Sequence, residues 1–197
     1  MATTYTPGDI LLVNDYSGSG DLLGNLIRAG ERARYGDTDD ARWTHSAMIV
    51  SADGDLVEAM AQGVAKGHVS EYASVQTLVV SPPVPADDPR RAYAVRFALA
   101  HVGDRYDVLD FAALALSLLT GLDWSLHSDQ RFICSGLCAR ATECYTDHGY
   151  PLPSEAMTPA DLAAAWGALS NEPLPAPSFL GRLLDKVRAI ARAITPF

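Results

Sequence analysis

WTHSAMIVSADGDLVEAM, Trp43 to Met60, consists of two apolar strand-like runs joined at Asp53-Gly54. Asp-Gly between two such runs is the strongest short-range hairpin signal in the chain. Side chains alternate along a strand, so His45, Ala47 and Ile49 share one face of the first run. A two-residue Asp53-Gly54 turn pairs Ala52 with Asp55, Ile49 with Glu58, and His45 with Gln62. His45 and Glu58 then point to the same side but lie about 13 Å apart, at roughly 3.3 Å per residue. A bulge, a longer turn or a strong twist must close that gap. Otherwise Gln62 or a backbone carbonyl orients the histidine, and Glu58 is a solvated strand residue.

Working outward, GDILLVND from Gly8 and VQTLVVS from Val75 are further strand-type runs, the second ending at the proline cluster PPVPADDP. PRRAYAVRFALAHVG has Pro89 at the first helical position and Gly103 at its end, the asymmetry expected of a helix. DRYD (Asp104 to Asp107) reads as a turn, with Asp107 as N-cap of a mostly buried helix from Val108 to Leu119. SLHSDQRF is a loop leading into the helix CSGLCARATECYTDHG, closed by Gly149 and Pro151. TPADLAAAWGAL starts with Thr158 as N-cap and Pro159 as the first helical residue. A β-rich first half followed by helices is an α+β plan.

The chain has 197 residues, 48% of them hydrophobic, which suits one domain, assigned to residues 1–169. Residues 170–178, SNEPLPAPS, are a proline-rich linker. Residues 179–197 form an amphipathic C-terminal helix, with Leu180, Leu183, Leu184, Val187, Ile190, Ala191 and Ile194 as its apolar stripe. This segment is expected to contact its own domain, a protein assembly or a membrane surface. A net charge of -9 argues against nucleic acid as a partner. The first residues lack a basic stretch followed by a long apolar run, so no signal peptide is expected. The longest apolar run, Val108 to Leu122, contains Asp110 and is shorter than the roughly 20 residues of a membrane span. The expectation is a protein made in the cytoplasm, leaving it only by a non-classical route, by lysis or within a particle.

Three cysteines are too few, and odd in number, for a disulfide framework. Cys134 and Cys138 in RFICSGLCAR are one helical turn apart. A structural zinc site needs four Cys or His ligands and no second pair exists, so no metal and no cofactor is expected. Cys-x-x-x-Cys inside a helix is a weak match to a redox motif. Core packing explains all three by periodicity, since Cys134, Leu137, Cys138, Ala141, Cys144 and Tyr145 recur on one face. That reading is kept for Cys138 and Cys144. Cys134 differs because it begins the helix, where unpaired N–H groups and the dipole favour a thiolate and can hold an oxyanion. Small neighbours, Ser135 and Gly136, leave room for a substrate.

A nucleophilic thiol needs a histidine base and a group that orients it. His68, His127 and His148 lie in polar or turn contexts and read as solvated, and His101 reads as a partial helix C-cap. His45 alone sits within a strand-like run.

These pieces resemble the circularly permuted papain-like group of the NlpC/P60 superfamily, the branch with YiiX/YaeF-like proteins and relatives of lecithin:retinol acyltransferase. PGDILLV is similar to the group's opening Gly-Asp strand, WTHSAMIV to its Ser/Thr-His strand, and DGDLVEAM to the strand after it. GDRYDVLDF is similar to its Gly-x-x-Tyr-Asp segment, FICSGLCA to its cysteine helix start, and MTPADLA to its closing Thr/Ser-Pro-x-Asp-Leu. Together they cover roughly residues 7–163. The histidine hairpin precedes the cysteine helix, the reverse of ordinary papain-like order.

The resemblance implies an antiparallel sheet packed with helices. It also implies Cys134 as nucleophile, His45 as general base and Glu58 as the residue orienting His45. Tyr106, Ser135 and Trp43 are candidates for the cleft or the oxyanion site; Tyr106 and Trp43 read equally as packed aromatics. Gly136 departs from the family, whose members often carry Glu there. The polar stretch from about Asn14 to Arg42 is longer than a minimal member needs and reads as a lid or partner surface. The implied activity is a cysteine hydrolase acting on an amide or peptide bond, such as a peptidoglycan-type peptide. Alternatives are a lipid acyltransferase or thioesterase acting on esters, and a structural or binding component of a phage particle or secreted complex.

Overall fold

The computed structural model describes residues 4–14, 32, 42–106, 131–146 and 157–166. Five strands, β1 (Ile10–Asn14), β2 (His45–Ile49), β3 (Asp55–Met60), β4 (Gly63–His68) and β5 (Gln76–Val80), form one antiparallel sheet in the order β4-β3-β2-β1-β5. Three α-helices are described: α1 (Pro89–Ala100), α2 (Cys134–Thr142) and α3 (Pro159–Trp166). The architecture is α+β.

β1 and most of β2 are continuous apolar runs because both faces of the sheet are covered. Ile10, Leu12, Met48, Val57 and Ala59 point to the helical side. There they join Ala94 and Ala98 of α1, Leu137, Cys138 and Ala141 of α2, and Leu162, Ala163 and Trp166 of α3. Leu11, Val13, Ala47, Ile49 and Leu56 point the other way, packed by Tyr5, Val69, Tyr72 and Val75. The second cover comes from the N-terminal segment and from a 3-10 turn, Val69–Tyr72, that follows β4.

Three strands are additional to what the local pattern predicts. GVAKGH is β4 although its residues are poor strand formers. Its full register against β3, from Met60↔Gly63 to Asp55↔His68, supplies what propensity does not. DRYD is not simply a turn, since Arg105–Tyr106 (β6) pairs in parallel with Arg131–Phe132 (β7). That pairing brings Arg105–Tyr106 beside the entry to α2. The cysteine helix also ends earlier than its pattern suggests, tightening after Thr142 into a 3-10 turn, Glu143–Tyr145. Thr142 Oγ1 donates to the Cys138 carbonyl at 2.8 Å, and such back-bonding weakens the last α-helical turn.

The helix starts follow their caps. Asp88 accepts from Arg90 N at 2.8 Å, one residue before Pro89. Thr158 Oγ1 accepts from Asp161 N at 3.2 Å while Asp161 Oδ2 accepts from Thr158 N at 2.8 Å, a reciprocal cap. The boundary at residue 169, the linker 170–178, the helix 179–197, the helix from Val108 and most of the 14–42 stretch lie outside the described residues. Among the described residues, no helix is long and apolar enough to cross a membrane.

A buried ion pair locks the helical layer to the sheet. Arg91 Nη1 donates to Asp9 Oδ1 at 2.7 Å, with both side chains nearly excluded from water. Its other donors reach the carbonyls of Val84 (2.8 Å) and Pro85 (3.0 Å), and Ser81 Oγ donates to Asp9 Oδ2 at 2.9 Å. Asp9 is thus a structural residue at the start of β1, tying the proline cluster to α1. Asp9→Ala strands a buried guanidinium and is expected to cost about 3–5 kcal/mol of stability, measured by urea denaturation. An Asp9→Leu/Arg91→Met pair should recover most of the loss. An unchanged urea midpoint for Asp9→Ala would remove the ion pair from this role.

Candidate active site

Helix α2 starts without a side-chain cap. Ile133 occupies the N-cap with extended backbone (φ -89°, ψ 161°), and an isoleucine has nothing to donate or accept. The first helical bond runs from Leu137 N to the Ile133 carbonyl at 3.0 Å, so the helix leaves the amides of Cys134, Ser135 and Gly136 unused. Cys134 stands among them, 5% exposed. Burial alone would push its thiol pKa up. The influence of the nearby, positively charged His45 ring, with that of the backbone N–H groups of Ser46 and Ser135, outweighs it. The result is a pKa below the ordinary thiol value.

His45 is the first residue of β2, and its Nε2 lies 2.6 Å from Glu58 Oε2. Nδ1 is therefore the nitrogen left for the thiol. The distance problem posed by the sequence is solved by the turn. Val50 N donates to the Asp55 carbonyl at 2.8 Å, and Met48 faces Val57. Four residues, Ser51–Gly54, thus make the loop instead of two. The register moves by two positions, so parity is kept while the offset is halved. Glu58 becomes the diagonal neighbour of His45, at a spacing that long side chains span.

Burial by itself would lower the His45 pKa. Its hydrogen bonds to Cys134 and Glu58, with their negative charges, raise it instead to about 10. Glu58 is 4% exposed, and burial would raise its pKa; the His45 hydrogen bond and charge, with a hydrogen bond from Tyr72, hold it below the carboxylate norm. The directions of these shifts favour a thiolate–imidazolium pair backed by a carboxylate.

The other candidates fall differently. Ser135 Oγ donates to the Met157 carbonyl at 2.7 Å, so only the backbone N–H of this residue faces the sulfur. Trp43 is 4% exposed and packs within the main core cluster. Tyr106 pairs with Phe132 through its backbone, and its side chain lies outside the described residues, as do Asp107, His127 and His148. Cys138 is fully buried, which pushes its thiol well above the ordinary range; Cys144, half-buried against the core, is also pushed up by burial. His101 caps α1, with Nδ1 2.8 Å from the Phe97 carbonyl. His68 is not simply solvated. Its Nδ1 accepts from Ser70 N at 3.1 Å and its Nε2 lies 3.1 Å from the Asp53 carbonyl, capping the 3-10 turn.

Two contributors were not legible in the sequence. The Tyr72 hydroxyl donates to Glu58 Oε2, and its ring centre lies 6.0 Å from that of His45. Gly67, on β4, lies where a Cβ would overlap Glu58 Oε1. Both belong to a segment without motif character, and their relevance depends on pairing β4 to β3. Among the described residues, no three His, Cys, Asp or Glu side chains converge to hold a metal ion. No protein-family model matches the chain, and no curated protein matches it.

Two titrations follow from this geometry. Alkylation by iodoacetamide is expected to single out Cys134 near neutral pH, and His45→Ala should move its midpoint up to the ordinary thiol range. Because the folded His45 pKa is raised, its stabilising contribution is complete below the unfolded value of about 6.5. It is lost as pH rises through about 10. The melting-temperature difference between wild type and His45→Ala should therefore narrow over that window, and a difference that widens with pH would contradict the assignment.

Proposed function

We propose that the chain is a cysteine hydrolase with a permuted papain-like, NlpC/P60-type fold, cleaving an amide or peptide bond through Cys134, His45 and Glu58. The observation that carries the reading is the pairing of His45 Nε2 with Glu58 Oε2 at 2.6 Å, together with a Cys134 thiol at an uncapped helix N-terminus whose pKa the nearby His45 ring lowers. The order of parts, with the histidine hairpin before the cysteine helix, also suits that fold.

In this mechanism the Cys134 proton resides on His45, and the thiolate sulfur attacks the substrate carbonyl carbon. Negative charge develops on the carbonyl oxygen beside the amides at the start of α2 that the helix does not use. The C–N bond breaks as His45 returns the proton to the departing amine, leaving a thioester on Cys134. Water, deprotonated by His45, then attacks the thioester, and the sulfur leaves as thiolate. Glu58 keeps the ring oriented and its positive charge compensated throughout. The family resemblance implies peptidoglycan-type peptides, other amides or lipid esters as substrates and does not choose among them.

The test is turnover of muropeptides, with acyl esters and acyl thioesters assayed in parallel. Cys134→Ala should abolish activity, and His45→Ala should reduce it by about 10²–10⁴-fold, the usual contribution of a general base. Preference for acyl substrates would assign the site to acyl transfer or thioester hydrolysis. If no substrate is turned over and Cys134 labels no faster than a free thiol, the hydrolase reading fails and a structural or binding role takes its place.

A further inference from the structure

Glu58 Oε2 is shared by two groups, His45 Nε2 from one side and the Tyr72 hydroxyl from the other. A glutamate has three side-chain torsions with several rotamers, and one hydrogen bond to a ring leaves the carboxylate less firmly set than two. We infer that Tyr72 is a positioning residue for the Cys134–His45 couple: its hydroxyl fixes the Glu58 carboxylate where it binds His45, in space that Gly67 leaves open. This inference rests on the catalytic reading of the site.

The turn that carries Tyr72 is itself held at several points. His68 N donates to Glu71 Oε1 at 2.8 Å, His68 Nδ1 accepts from Ser70 N, and His68 Nε2 reaches the Asp53 carbonyl in the β2–β3 loop. Val69 N also donates to the Gly54 carbonyl at 3.0 Å. Tyr72 is thus anchored to the same loop that sets the register between His45 and Glu58. Its ring packs on the face of the sheet that carries Ala47 and Ile49, next to His45. Burial and the Glu58 carboxylate hold the phenol protonated, so it remains a donor wherever the couple titrates. The charged or titratable groups around it are Glu58 from β3, His45 from β2, Cys134 from α2, and Glu71 on its own turn.

Gly67 supplies the other half of the arrangement. Its backbone does not require glycine, yet a Cβ would run into Glu58 Oε1 and come within 3.5 Å of Glu71 Oε1. Small size is the property used there. Tyr72→Phe removes the donor and keeps the ring, whereas Gly67→Ala keeps the donor and displaces the carboxylate. Both should weaken the support that His45 gives to the thiolate.

The experiment is the pH profile of Cys134 alkylation by iodoacetamide for wild type, Tyr72→Phe, Gly67→Ala, Glu58→Gln and the Tyr72→Phe/Glu58→Gln double variant, with melting curves to confirm folding. Tyr72→Phe is expected to move the midpoint upward and slow alkylation at neutral pH by about three- to tenfold, the scale of one ordinary hydrogen bond. Gly67→Ala should shift it the same way. Glu58→Gln should shift it further, and adding Tyr72→Phe to it should change nothing more, because Tyr72 acts through Glu58. A wild-type profile in Tyr72→Phe, or a shift that adds fully to Glu58→Gln, overturns the inference. So does a wild-type Cys134 that titrates as a free thiol. Normal labelling without turnover of any substrate defeats the hydrolase reading alone, and the labelling series still decides the role of Tyr72.

Discussion

Between β2 and β3 the amide of Val50 donates to the carbonyl of Asp55, and every later pairing along the two strands is counted from that bond. A slip of one residue would turn Glu58 to the opposite face, and a slip of two toward the shorter turn would carry it out of reach of His45. The four-residue loop is held by more than its own chemistry: Ser51 Oγ accepts from Asp55 N at 3.0 Å, while His68 and Val69 bond to Asp53 and Gly54. The hairpin that carries the site is thereby tied to the turn that completes it.

The site concentrates charge where water is scarce. Cys134, His45 and Glu58 follow one another at the site, and the shifts that favour their charged forms arise because each has a neighbour that is charged or donates a hydrogen bond. The amides at the start of α2 and the Tyr72 hydroxyl complete the accounting for the two anions. The Asp9–Arg91 pair follows the same rule elsewhere, with backbone carbonyls filling the remaining donors. In both places a sheet residue meets a group from beyond the sheet, so the polar contacts also hold the layers together.

Much of the framework was legible because it depends on local pattern. The apolar runs of β1, β2 and β5, the Asp-Gly turn, Pro89 at a helix start and Thr158 before Pro159 each carry their own signal. The position of Cys134 at a helix start was legible for the same reason. β4 was not, because GVAKGH forms a strand only where β3 offers it a partner. The β6–β7 pair was not, because its halves are separated by 24 intervening residues, Asp107 to Gln130. The length of the β2–β3 loop was left open by the sequence, with a longer turn as one option, since Asp-Gly suits a two-residue turn and the four-residue loop is set by contacts with Tyr5, His68 and Val69.

Local sequence by itself determined which side chains share a face. Period-two alternation puts His45 and Glu58 on one side of a hairpin whatever its odd-numbered register sum, and helical capping logic puts Cys134 among free amides. Which of those side chains touch was decided only by the tertiary structure. Contact depends on distance along and across the sheet, and that distance is set by long-range pairing: the β3–β4 ladder that brings Gly67 and Tyr72 to Glu58, and the packing of α2 against β2 and β3. Parity is a property of the chain, and proximity is a property of the fold.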